Sequence, residues 1–258
     1  MSDYLIVEKS GNTAVVTFNN PPAHTWTKES LTALRDLVLS LNQDKEIYAL
    51  VLTGGGEKFF SAGADLTLFA DGDKQVAAEM ADIFGQAFET LSTFRGVSIA
   101  AINGWSMGGG LEIALACDLR IAEEHAMMAL PEATVGLLPC AGGTQNLQLL
   151  VGEGWTKRMI LCGERIDAKT AERIGLVEEV VAKSQGLTAA KALAEKVAKQ
   201  SPVAVAACKV LIQKNRHMPI NAALPQERQA FVDLFDSADQ TEGVQAFLEK
   251  RKPVWLNE

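Results

Sequence analysis

The order of its apolar runs predicts that this chain is an α/β protein ending in a helical region. Three observations carry that expectation. Short apolar runs stop at glycines, as buried strands entering loops do. Between them lie segments whose apolar residues return every three or four positions, the period of a helix. Past residue 142 the strand-like runs almost cease.

Taken in order, Tyr4–Lys9 and Thr13–Phe18 alternate apolar and polar residues around Ser10-Gly11-Asn12, the pattern of a hairpin. Leu31, Leu34, Leu37, Val38 and Leu41 line one face of a helix over Thr27–Leu41, with Thr27 as its N-cap. Ile47–Leu52 reads as a buried strand that ends at Thr53-Gly54-Gly55-Gly56. Lys74–Phe94 follows as a long helix, and Val97–Ile102 as a second buried strand ending at Asn103-Gly104. A short helix over Gly108–Cys117 precedes strands at Leu119–Ala122 and Met127–Leu130. Beyond that, only Leu176–Val181 looks like a strand. Asp167 caps a helix that stops at Gly175, and Ala189–Lys199 is another. The last helix, Thr241–Lys250, carries Val244, Phe247 and Leu248 on one face and is ended by Pro253.

Composition narrows the function classes. With 48% hydrophobic and 22% charged residues among 258, the chain can bury a core without disulfide or metal staples. Acidic residues outnumber basic ones, 32 to 24, for a net charge of −8. That balance argues against a nucleic-acid or anionic-membrane surface, which needs clustered positive charge. A small phosphorylated ligand, needing only a few local donors, stays compatible. No run approaches the ~18 apolar residues that span a bilayer, and Met1-Ser2-Asp3-Tyr4 lacks the basic start of an export signal. Cys117, Cys140, Cys162 and Cys208 are scattered without metal-ligand spacing. The expectation is a cytoplasmic protein with free thiols and no metal.

Three segments could carry chemistry. In Ile102-Asn103-Gly104-Trp105-Ser106-Met107-Gly108-Gly109-Gly110-Leu111-Glu112, a buried strand runs into glycines that open a helix. Helix-start N–H groups lack internal partners, and glycine lets a ligand oxygen approach them. Glu112 lies about one turn beyond Gly109. The second segment, Phe59-Phe60-Ser61-Ala62-Gly63-Ala64-Asp65, again places small residues just after a strand, and an Asp-capped turn explains it about as well. The third is Pro131-Glu132, then Gly136, Pro139 and Gly142-Gly143-Thr144-Gln145. Gly104-Trp105-Ser106-Met107-Gly108 also fits G-x-S-x-G, the nucleophile elbow of serine hydrolases. That reading needs a downstream acid and His in order; His125 and His217 are the only candidates, and Glu112 and Glu132 would be left without roles.

In this order, the segments resemble the enoyl-CoA hydratase/isomerase (crotonase) superfamily. Cys117-Asp118-Leu119-Arg120-Ile121-Ala122, Gly163-Glu164-Arg165-Ile166 to Gly175-Leu176-Val177, and Glu249-Lys250-Arg251-Lys252 extend the likeness over nearly the whole chain. The resemblance implies a spiral of ββα units over 1–195 and a C-terminal helical region over 196–258 that forms a homotrimer or a dimer of trimers. The ligand implied is an acyl-CoA thioester, with CoA part of the substrate and no separate cofactor. By the same likeness, the amides of Ala64 and Gly109 form an oxyanion hole, and Glu112 and Glu132 are the paired carboxylates of hydratases. Glu132 then donates a proton to Cα while Glu112 activates water.

The resemblance also places Lys58 near the CoA phosphates and the 62–67 backbone (Ala62, Ala64, Asp65, Leu66, Thr67) around the adenine. By the same likeness, Phe247 and Lys250 would come from a neighbouring subunit. An enoyl-CoA isomerase or another CoA-thioester lyase is the alternative on the same scaffold. The chain departs from the family pattern at Trp26, Trp105, Met107 and Asn146. Trp26 and Trp105 are therefore expected to shape the acyl pocket.

Overall fold

The computed structural model describes residues 3–258. Strands β1 (Leu5–Ser10) and β2 (Thr13–Phe18) form the expected antiparallel hairpin, with Ser10 opposite Thr13. Helix α1 (Lys28–Gln43) starts at a reciprocal cap: the Ser30 amide donates to the Thr27 side chain, and the Thr27 amide to the Ser30 hydroxyl.

A single unit then repeats. β3 (Ala49–Gly54), β4 (Phe59–Ser61) and α2 (Lys74–Ser92) are its first copy. β5 (Val97–Ile102), β6 (Trp105–Met107) and α3 (Gly109–Ala116) are the second. β7 (Leu119–Glu123), β8 (Met127–Ala129) and α4 (Gly143–Leu161) are the third. After them come β9 (Ile166–Asp167), α5 (Ala168–Ile174), β10 (Glu179–Val181) and α6 (Gly186–Val197). The first strand of each unit joins a six-stranded sheet of order β1-β2-β3-β5-β7-β10, and the second joins a four-stranded sheet, β4-β6-β8-β9. Within each sheet the repeated strands run parallel. This is the expected spiral of ββα units.

Period-two alternation buries both faces of the large sheet. Leu50 and Leu52 enter the main core with Leu34, Phe84 and Phe88 of α1 and α2. Ala49 and Val51 point the other way, against Ala190 and Ala194 of α6. That helix runs past the division expected at 195/196 and packs on the sheet as far as Val197, so the whole of it belongs to the core.

Helices α7 (Pro202–Lys214), α8 (Ile220–Asp233) and α9 (Ala238–Leu248) form the C-terminal region. A buried lysine pins α7 to the core. Lys209 Nζ donates to the carbonyls of Phe94 (2.6 Å) and Gly96 (3.0 Å) and to Asp118 Oδ2 (2.6 Å). By contrast α8 buries none of its residues, and Phe247 on α9 is 82% exposed.

Strands β4, β6 and β9 escape the sequence reading because two or three residues are too few to show alternation. The strand expected at Leu176–Val181 shortens to β10, since Leu176 and Val177 instead sink into the core.

Candidate active site

The chain leaves β4, β6 and β8 through the three segments singled out above, and these converge. Gly108 turns the chain from β6 into α3 with φ 53° and ψ −125°, a conformation closed to residues with a Cβ. Gly110 presses against β4: a Cβ there would stand 2.0 Å from the Ser61 carbonyl oxygen. Between them, Gly109 is the first residue of α3, so its N–H has no acceptor inside the helix.

The loop after β4 lies against that helix start; a Cβ on Gly63 would come within 3.1 Å of the Gly109 nitrogen. Trp26 and Ala64 form a parallel bridge in which the Trp26 amide donates to Gly63 and the Asp65 amide to Trp26. The Ala64 amide takes no part in that bridge and faces the other way. The Ala64 and Gly109 amides therefore sit on adjoining segments at the edge of one cavity.

The cavity is about 550 Å³, and both glutamates line it. Glu112 comes from the fourth position of α3 and is almost wholly buried. Its Oε1 accepts the amides of Ala141 (2.8 Å) and Gly143 (2.9 Å), which fix the carboxylate in place. Glu132 opens the short 3₁₀ turn Glu132–Val135 after β8. Both of its carboxyl oxygens are buried without a hydrogen-bond partner, and Oε1 would be 3.0 Å from a Cβ on Gly108.

Electrostatics follow from these settings. Burial pushes the Glu112 carboxyl above the usual carboxylate range, and its two amide donors work against that shift. Glu132 is raised to about 7, first by burial and then by the charge of Glu112. One carboxyl is tethered; the other is poised to hold a proton near neutrality. Cys140, on the same wall, has its thiol pushed up to about 11 by burial and by both glutamates.

Of the expected substrate contacts, Ala62, Ala64, Leu66 and Gly109 line the cavity. Asp65 is spent on structure: its Oδ1 accepts from the Thr67 amide (3.0 Å) and hydroxyl (2.7 Å), capping the turn Leu66–Phe69. Lys58 lies exposed, its ammonium over the Phe59 ring. Phe247 and Lys250 are exposed on and just after α9, outside this chain's cavity wall.

Trp26 and Trp105 do not line the cavity, which corrects the expectation that they shape an acyl pocket. Trp26 is 2% exposed and packs edge-on against Phe18 and Phe88, filling the core beneath Gly109. Trp105 lies under the Arg165 guanidinium. The apolar wall comes instead from Met80, Ala81 and Phe84 of α2 and from Val135, Leu137 and Leu138. Their helical spacing on α2 looks like ordinary core, so nothing in the sequence separates them from buried neighbours.

The serine-nucleophile reading fails on geometry. Ser106 is 0% exposed, and its hydroxyl donates to the Gly110 carbonyl at 2.8 Å. His24 is likewise structural, its Nδ1 accepting from the Asn20 amide and its Nε2 meeting the Gly55 carbonyl.

A family model described as enoyl-CoA hydratase/isomerase matches residues 8–258. The short-chain-enoyl-CoA hydratase of Clostridium acetobutylicum is 39% identical over 249 residues, covering 96% of this chain and 95% of that protein. The 2,3-dehydroadipyl-CoA hydratase of Escherichia coli is 40% identical, covering 96% and 97%. A solved structure of Pseudomonas aeruginosa DspI superposes with a TM-score of 0.96 at 65% identity, covering 98% of this chain and 97% of that one.

Proposed function

The chain belongs to the enoyl-CoA hydratase/isomerase family, and we propose that it adds water across the 2,3 double bond of a trans-2-enoyl-CoA thioester to give the 3-hydroxyacyl-CoA. One observation carries the reading: two glutamates of unlike setting face one apolar cavity beside two free-facing amides. Water addition needs a base, an acid and a stabiliser of enolate charge, and the site offers one group for each.

The thioester oxygen sits between the Ala64 and Gly109 N–H groups, where preorganised donors are worth ~3 kcal/mol apiece as charge builds on it. Glu112, held rigid by the Ala141 and Gly143 amides, orients a water and takes its proton as the water oxygen bonds to Cβ. Electron density passes through Cα to the thioester oxygen. Glu132, protonated near neutrality, then delivers its proton to Cα, and the carbonyl re-forms. The cycle leaves Glu112 protonated and Glu132 ionised, so a proton returns from one to the other before the next turnover.

For the CoA portion, Lys58 supplies charge for the phosphates and the 62–67 backbone surrounds the adenine. Phe247 and Lys250 complete the site from a second copy in a homotrimer. Exposed apolar side chains on all three C-terminal helices, among them Ile212, Phe231 and Phe247, support such packing. Among the described residues no helix is long and apolar enough to cross a membrane, and the cytoplasm is the proposed location.

The test is incubation with crotonyl-CoA and longer trans-2-enoyl-CoA thioesters. Loss of the conjugated thioester absorbance with matching 3-hydroxyacyl-CoA is the expected result. Migration of the double bond of a 3-enoyl-CoA without any hydration would replace this reading with an isomerase.

A further inference from the structure

The Ala64 and Gly109 amides belong to different segments of the chain, and Trp26 touches both segments. Its backbone holds the first. The Trp26 amide donates to the Gly63 carbonyl at 2.8 Å and the Asp65 amide to the Trp26 carbonyl at 3.1 Å, so Ala64 is gripped from both sides. Its ring reaches the second. A Cβ on Gly109 would stand 3.5 Å from Trp26 Cδ1 and 3.0 Å from Phe84 Cε1, so the two rings together close the space beneath the first residue of α3.

The indole is itself held by shape. Phe60, Phe18, Trp26, Phe88 and Phe84 form an unbroken series of edge-to-face contacts, with neighbouring centroids between 4.9 and 6.0 Å apart. The series runs from β4, which leads into the Ala64 loop, to α2, whose Phe84 meets Gly109. The Trp26 indole N–H is buried with no acceptor. An unpaired buried donor costs stability, and a phenyl ring here would avoid that cost. What the indole adds is breadth, enough to meet Phe18, Phe88 and the underside of Gly109 at once.

Breadth matters because two donors stabilise one oxygen only while both lie ~2.7–3.1 Å from it. A slip of ~1 Å between the segments that carry them can cost ~10²-fold in rate. On the hydration reading given above, we propose that Trp26 is a positioning residue of the oxyanion hole, fixing the spacing between the Ala64 and Gly109 amides without itself reaching the substrate cavity.

Filling and positioning part ways in two substitutions, read with butanoyl-CoA carrying ¹³C at its thioester carbonyl. Two N–H donors on that oxygen lower its infrared stretching frequency on binding, and the size of the downshift reports their alignment. Trp26→Leu should lose about half of the downshift and lower kcat for crotonyl-CoA hydration ~30-fold, with butanoyl-CoA affinity within about threefold. Trp26→Phe removes the unpaired donor, so its melting temperature should fall by no more than ~5 °C. Its ring is narrower, so it should still lose a smaller share of the downshift and about fivefold in kcat. Catalysis then falls where stability largely holds, which interior filling alone does not produce. If Trp26→Leu does not fold, Trp26→Phe decides. An undiminished downshift in every variant that folds overturns the proposal, whatever happens to stability. A downshift that depends on Trp26 in a protein that hydrates no enoyl-CoA would leave the positioning role standing and remove only the hydratase reading. No downshift in the unaltered protein would remove the oxyanion hole, and both with it.

Discussion

Helix α3 and the turn Glu132–Val135 line the same cavity, yet they are built in opposite ways. All eight residues of α3 are buried, and its glutamate is tied by two backbone amides. The turn buries none of its four residues, Leu138 just beyond it is 68% exposed, and its glutamate has no partner on either oxygen. The contrast fits the two tasks. A water must be held at a fixed point, so its base is anchored. A carboxyl that keeps its proton near neutrality must be poorly solvated and unbonded, because any N–H donated to it would stabilise the anion and lower its pKa. Tethering Glu132 as Glu112 is tethered would remove its use as an acid.

Breaking each wall at its carboxyl should have the largest effect. Glu132→Gln and Glu112→Gln should each lower kcat for enoyl-CoA hydration ~10³-fold, with affinity for a saturated acyl-CoA changed by no more than a few-fold. A loss of less than about tenfold in either would exclude that residue from proton transfer.

Gly110→Ala attacks the packing of the hard wall, since its Cβ would collide with the Ser61 carbonyl at 2.0 Å. Backbone meets backbone there, so stability in denaturant titration should fall by roughly 2–4 kcal/mol.

The soft wall shows in pH dependence. Glu132 is protonated in the folded protein up to about 7, against 4.5 for the ordinary carboxyl. Raising pH through about 7 removes the proposed acid, so kcat/KM should fall on that alkaline limb. The same shift contributes stability that is full below 4.5 and lost as pH rises to about 7, where the buried carboxylate must ionise. Glu132→Gln should flatten that part of the stability profile; an unchanged slope would mean that another group causes it.

The smallest effect is expected at the outer rim. Leu138→Asp should leave stability within about 0.5 kcal/mol and raise KM for a trans-2-octenoyl thioester by a few-fold more than for crotonyl-CoA. Equal change for both lengths would place Leu138 off the acyl path.

The hard wall is also the part that the sequence shows best. A strand end, four glycines and Glu112 lie within eleven consecutive residues, and each has a local reason to be there. Thr27, Asp167 and Gly175 likewise mark helix ends through caps that depend only on near neighbours. The soft wall is different. Glu132 after Pro131 looks like any solvated turn, and only the resemblance singles it out. Met80 and Phe84 read as core because a pocket and a core want the same side chains on α2. Trp26 shows the converse: large and unusual in its loop, it is interior filling. Cavities arise where distant segments fail to meet, and no local pattern records that.

Lys209 sets a condition on exchanging parts between relatives. Its ammonium occupies a socket made by the end of α2's loop and the start of β7, so the helices that follow inherit their orientation from three acceptors in the core. A chimera joined at residue 201 that brings a neutral residue to that position would strand Asp118 without its counter-ion. Grafted helices would then lose their bearing on the spiral, even if every one of their own contacts were kept.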